Sequence, residues 1–130
     1  MENKTTKQIG DEAEQIAANF LISQGLKILH KNYKTRFGEI DLIAQDANAT
    51  LIFVEVRFRK FDKYQKFGNS AESITFKKQQ KIIKAAQEFL TTLNKTNKTP
   101  FCRFDCVLFD CQNNQKNITP KWIKNAFLAE

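Results

Sequence analysis

Gly38-Glu39-Ile40-Asp41-Leu42-Ile43-Ala44 and Leu51-Ile52-Phe53-Val54-Glu55-Val56-Arg57-Phe58-Arg59 decide how this chain folds. Both runs are rich in β-branched and aliphatic residues and have strand length. Residues 45–50 between them, with Asp46 and Asn48, have turn composition, so an antiparallel hairpin is the natural geometry. Alternation then sorts the side chains. Ile52, Val54, Val56 and Phe58 share one face, and Phe53, Glu55, Arg57 and Arg59 the other. In the preceding strand Glu39 and Asp41 fall opposite Ile40, Leu42 and Ala44.

If the two strands pair, Asp41 and Glu55 lie on the same side of the sheet. Two carboxylates held close repel, and one pKa rises unless a cation joins them. A hard divalent ion with oxygen ligands resolves that conflict, and it can polarise a phosphodiester and acidify an attacking water. The plain alternative is a set of cross-strand surface ion pairs involving Asp41, Glu55 and Arg57.

Outward from the hairpin, residues 7–24 have helical periodicity, with Ile9, Ala13, Ile16, Ala17, Phe20 and Leu21 on one face and Gly25 placed to end it. Of its acids, Glu14 borders one edge of the apolar face and Glu12 the other. Periodicity does not choose between them. Residues 26–29 and 32–36 read as a short strand with another or a continuation. Residues 60–70 form a basic, aromatic loop. A second helix is expected over residues 75–93, with Thr75 as N-cap. Its buried stripe is Ile82, Ala86, Phe89 and Leu93, and Lys77, Lys81 and Lys84 form a solvated basic face opposite. Lys78 and Gln79 fall on the core side of the first turn. Polar groups there need partners, which a carboxylate cluster supplies, or else Lys78 snorkels out past the helix end. Residues 103–109 read as a strand, 110–117 as a turn, and 118–128 as a final strand or short helix.

Composition agrees with one domain over residues 1–130: 42% of residues are hydrophobic, 27% are charged, and 12 phenylalanines supply core volume without disulfides. The net charge of +7 and pI of about 9.4 suit a polyanionic partner such as nucleic acid, although lysine-rich surfaces also serve solubility. Cys102, Cys106 and Cys111 are odd in number and lack a C-x-x-C pair, which points to free thiols in a reducing cytosol. His30 is the single histidine, so a zinc site is not expected. A polar N-terminus without an apolar stretch behind it, and no run of membrane-spanning length, lead to the expectation of a cytoplasmic protein without membrane contact.

The motifs Gly10-x-x-x-Glu14-x-x-Ala17, Gly38-Glu39-Ile40-Asp41-Leu42-Ile43, Phe53-Val54-Glu55-Val56-Arg57-x-Arg59, Lys78-Gln79, Arg103-Phe104-Asp105 and Ile123-x-x-Ala126-Phe127 resemble those of the bacterial YraN family, over nearly the whole chain. That family looks like a branch of the PD-(D/E)xK nucleases, similar to archaeal Holliday junction resolvases. The resemblance implies an α/β fold with a restriction-endonuclease-like αβββαβ core, a mixed central sheet and flanking helices. It implies a Mg²⁺- or Mn²⁺-dependent phosphodiesterase, with metal bound by Asp41, Glu55 and the Val56 carbonyl and completed by the phosphate of the nucleic acid. Glu14 would be the helix acid and Glu39 a neighbouring support. Lys78 and Gln79 match a position that contacts the scissile phosphate or the water. Arg57 stands where the superfamily has its lysine. An arginine cannot act as general base, but it can orient water or stabilise phosphorane charge.

The leading expectation is therefore a structure-selective DNA endonuclease acting on branched or duplex DNA as a homodimer, without a small-molecule cofactor. Arg59, Lys60, Lys63, Tyr64 and Lys66 of the basic loop are its expected DNA contacts. The competing expectation is a non-catalytic module on the same fold that binds nucleic acid or recruits a partner.

Overall fold

In the computed structural model, which describes residues 5–60, 74–93, 100–111 and 120–129, Thr5 starts the first helix with a capping box. Its side chain accepts the Gln8 N–H at 3.1 Å, and Gln8 Oε1 accepts the Thr5 N–H at 2.8 Å. Helix α1 (Thr6–Ser23) ends before Gly25, whose φ of 95° continues the chain in a conformation that favours glycine. Strands β1 (Lys27–Lys34), β2 (Glu39–Gln45) and β3 (Leu51–Lys60) follow, then helix α2 (Phe76–Leu93), β4 (Cys102–Cys111) and β5 (Pro120–Phe127). Thr75 caps α2, accepting the Lys78 N–H on its hydroxyl at 3.1 Å.

The five strands lie in one sheet in the order β1-β2-β3-β4-β5. The first three form an antiparallel meander, β4 runs parallel to β3 after the α2 crossover, and β5 returns antiparallel. This is the mixed α/β sheet with an αβββαβ core that the sequence motifs imply, extended by β5. The final segment, open between strand and helix in sequence, is a strand. Of the two readings left open for residues 26–36, a second strand or a continuation, the structure shows the continuation: β1 is one strand. Asn32 carries the bend at φ 52°, which asparagine tolerates, and a register shift lies between Ile28 and His30.

Each sheet face is closed by one helix. Ala13, Ala17, Ala18 and Leu21 of α1 pack on Leu42, Ala44, Ile52, Val54, Val107 and Phe109. Ile82, Ile83, Ala86 and Phe89 of α2 pack on Ile43, Phe53, Phe104 and Leu108. Burying each large apolar side chain contributes about 1.5–3 kcal/mol. In β2 strict alternation fails before Leu42. Ile40 belongs to the α2-side core with Ile43, not to the α1-side core with Leu42 and Ala44. The strand leaves its regular pleat around Asp41, and the reason becomes visible at the site.

Candidate functional site

The carboxylates meet where the β2–β3 ladder stops. Backbone pairing runs from Gln45↔Leu51 to Leu42↔Val54. One residue further, Asp41 Oδ2 accepts the Val56 N–H at 2.8 Å. A side chain thus completes what the ladder leaves unpaired, and β2 is free to turn Asp41 toward α1. There Glu14, Glu39 and Asp41 bring carboxylate oxygens within 4.8 Å of one another. Glu55 is buried, at 6% exposure, and its Oε1 lies 2.8 Å from Lys78 Nζ of α2.

This crowding acts most on Asp41. Burial first, then the charge of Glu55, pushes its carboxyl up to about 8 from an ordinary 3.8, with Glu14 adding to the rise. The Val56 N–H and Lys78 oppose the shift without cancelling it. Glu14 is also pushed upward, by burial first, while a hydrogen bond with Asn32 holds it down. The sulfur of Cys106, beside Glu55 in the parallel β3–β4 pairing, is pushed up to about 12 by burial and then by Glu55. That keeps it a neutral thiol.

Two open clefts meet at these acids. One, of about 430 Å³, is lined by Asp41, Glu55 and Gly38 on the sheet side and by Thr75, Lys77, Lys78 and Lys81 from α2. The other, of about 580 Å³, lies between α1 and β1 and is lined by Lys7, Asp11, Glu14, Lys31, Asn32 and Lys34. Glu39 lines both. The first cleft depends on Gly38. A β-carbon there would sit 3.2 Å from Lys81 Cβ. Gly38→Ala is expected to push the start of α2 away from β2 and to cost about 1 kcal/mol, read as a lower melting temperature.

The expected site residues separate into groups. Asp41, Glu39 and Glu14 come together, and Glu14, not Glu12, is the helix acid that joins them. Glu55 and Lys78 form an ion pair beside them. Gln79 does not join: its amide donates to the Ile74 carbonyl at 2.9 Å, and it does not line the cleft. Arg57 is half-buried two residues beyond Glu55 and is likewise not among the cleft-lining residues. Val56 meets Asp41 through its N–H. Arg59 and Lys60 end β3, but their side chains, and Lys63, Tyr64 and Lys66 entirely, lie outside the described residues.

Sequence reasoning passed over two features. Asp105 is fully buried and accepts from Arg103, from Trp122 Nε1 at 2.8 Å and from the Asn125 N–H at 3.0 Å. Its only sequence signal was the Arg103-Phe104-Asp105 spacing. Phe37, at the tip of the β1–β2 turn, lies beneath Arg36 and near Lys84. No helix among the described residues is long and apolar enough to cross a membrane, and Cys102 and Cys106 are free thiols.

The sequence of this chain is similar to that of known proteins along most of its length. The chain is 47% identical over 115 residues to a UPF0102 protein of Psychromonas ingrahamii, covering 88% of this chain and 85% of that one. It is 38% identical over 130 residues to a UPF0102 protein of Nitrosococcus oceani, covering 100% and 99%. It is 47% identical over 120 residues to one of Saccharophagus degradans, covering 92% of each. Among solved structures, a repair endonuclease from Pyrococcus abyssi aligns with 88% of this chain at 11% identity and a TM-score of 0.39, the chain spanning 41% of that protein. Residues 13–109, which hold Glu14, Glu39, Asp41, Glu55 and Lys78, match the family described as Uncharacterised protein family UPF0102, and with these end-to-end relatives the chain belongs to that family.

Proposed function

We propose that this chain is a metal-dependent endonuclease that hydrolyses phosphodiester bonds in branched or duplex DNA. One observation carries the reading. Asp41 is fixed between Glu14, Glu39 and Glu55 in surroundings that make its charge costly without a cation. The donors are all hard carboxylate oxygens, which fits Mg²⁺ or Mn²⁺. Asp41 and Glu55 would hold the ion, with the Val56 carbonyl as a further ligand and Glu14 and Glu39 beside it. When bound, the ion would supply Lewis acidity toward the phosphate and a more acidic water.

The chain's own groups divide the remaining work. Lys78, at 2.8 Å from Glu55, orients that side chain and brings a cation to the cleft from α2. Arg57 cannot take a proton from water and does not line the cleft, so Lys78, which does, is the cation placed to meet developing phosphorane charge. Symmetrical cutting of a junction needs two sites, so a homodimer belongs to this reading.

The test is cleavage of labelled four-way junction, duplex and RNA by purified protein in Mg²⁺, Mn²⁺ or EDTA, beside Glu55→Gln. Cleavage that needs metal and is lost in the variant supports the enzyme. Junction cleavage exceeding duplex and RNA cleavage supports the substrate class. Arg57 at the lysine position favours a second reading, a non-catalytic module that binds nucleic acid or recruits a partner. Binding that survives EDTA and Glu55→Gln with no cleavage under any metal establishes that second reading and ends the first.

A further inference from the structure

The outward face of α2 has a feature that solubility does not require. Lys77, Lys81 and Lys84 project from successive turns, about 6 Å and 4.5 Å apart along the axis. The stripe begins inside the carboxylate cleft, which Lys77 and Lys81 line, and runs away from it. Beside its far end stands Phe37. Its ring centroid lies 4.8 Å from the Arg36 guanidinium and 5.9 Å from Lys84 Nζ, and the residue is 37% exposed.

Phe37 is held there. Thr35 Oγ1 accepts both the Phe37 N–H at 3.0 Å and the Gly38 N–H at 3.2 Å. The Thr35 N–H and hydroxyl both donate to the Gly38 carbonyl, at 2.9 and 3.0 Å. Gly38 in turn packs on Lys81. The turn is clamped and docked on the helix, so the ring is presented with little ordering cost left for a ligand to meet.

We infer that this surface binds the unpaired flank of a nucleic-acid strand whose phosphate enters the carboxylate cleft, with Lys77, Lys81 and Lys84 along the backbone and Phe37 stacking on a base. Phosphates alone would need only the cations. Within a duplex the bases stack on each other and offer no face to a ring. An aromatic platform flanked by cations suits a base that is already unpaired. A base that reaches the ring takes the place that Arg36 holds over it. The inference rests on the cleft being a phosphodiester site, and it narrows the substrate to strands with a single-stranded arm or an open branch point.

Fluorescence anisotropy of the full chain in EDTA tests it. The ligands are a short mixed-sequence single strand, an abasic strand of equal length, and a polyglutamate competitor of equal charge. Phe37→Leu is expected to weaken the base-bearing strand about five- to tenfold and to leave the abasic strand unchanged. Lys81→Gln with Lys84→Gln should flatten the slope of log K against log salt by about 1.4, or about 0.7 per contact. Equal losses on both strands, no loss at all, or polyglutamate competing as well as the oligonucleotide would overturn the inference; the last outcome would mark an acidic protein partner instead. Failure here is separable from failure of the enzyme reading. Wild-type protein that cleaves while Phe37→Leu binds normally refutes only the stacking surface. Phe37-dependent binding without any metal-dependent cleavage refutes only the enzyme.

Discussion

Asp41→Asn is expected to abolish metal-dependent cleavage, by at least about a thousandfold, and at the same time to make the metal-free protein more stable. Both effects come from one charge. The folded chain keeps Asp41 protonated up to about pH 8, whereas the unfolded chain releases that proton near the ordinary value of 3.8. Between those values the folded state binds more protons than the unfolded state, so stability falls as pH rises from about 4 to about 8 and is level above that. Asparagine keeps an oxygen for the Val56 N–H but has no charge to bury. The variant should match wild type near pH 4 and exceed it by a few kcal/mol near pH 9 in EDTA, since each tenfold difference in proton affinity between the two states corresponds to about 1.4 kcal/mol. Urea titrations of both proteins at a series of pH values measure the difference directly. Mg²⁺ should then stabilise wild type and leave the variant unmoved. A variant less stable than wild type at alkaline pH would mean that Asp41 supports the fold through contacts, and the account of its strain would be wrong. Gain of stability with loss of activity is the usual mark of a group retained for chemistry.

How far the sequence reaches can be judged residue by residue. The hairpin was legible because its strands alternate cleanly and a polar turn joins them. Lys78 was legible because a helical wheel put a charge on the core side, and its partner is Glu55. Alternation misassigned Ile40, because it assumes a regular pleat through Asp41. The ladder instead ends at Leu42↔Val54, and a carboxylate replaces a backbone acceptor. No local pattern announces where a ladder stops. Glu14 and Glu12 were equivalent on the wheel, and only the docking of α1 over the end of β2 separates them. The same limit hid Phe37. A Thr-Arg-Phe-Gly run reads as a generic turn, and its function as a platform depends on α2, whose Lys81 lies more than forty positions away in sequence. The basic loop expected over residues 60–70 lies for the most part outside the described residues.

Asp105→Ala should have the largest effect on stability, about 3–5 kcal/mol, with none on chemistry in the molecules that remain folded. The Asp105 carboxylate is fully buried, and both oxygens are engaged. Arg103 donates from Nε to Oδ1 and from Nη2 to Oδ2, both at 2.9 Å, and Trp122 and the Asn125 backbone complete the set. Asn125 sits at φ 54°, near the register shift between β4 and β5, so its N–H has left the regular ladder and depends on Asp105. Removing the carboxylate leaves a mostly buried guanidinium, an indole N–H and a backbone N–H without an acceptor. Each such loss carries a desolvation penalty that the native state does not bear. Against a total stability of about 5–15 kcal/mol for a domain of this kind, that is a large fraction, and β5 should be the first element to loosen. Hydrogen exchange of β5 amides and the denaturation midpoint both report it. The control removes the pair together: Arg103→Met with Asp105→Leu should cost less than Asp105→Ala alone, because neither variant side chain leaves a charge unpaired. If the double variant is the less stable of the two, β5 is held by packing around Trp122 and Phe127 and not by the buried carboxylate. Glu55 pairs with Lys78 on the α2 side of the sheet, whereas Asp105, on the adjacent strand β4, bonds Trp122, which packs on the α1-side core. Nucleic-acid affinity per folded molecule should therefore be unchanged in Asp105→Ala, which separates the group that holds the sheet together from the groups that strain it.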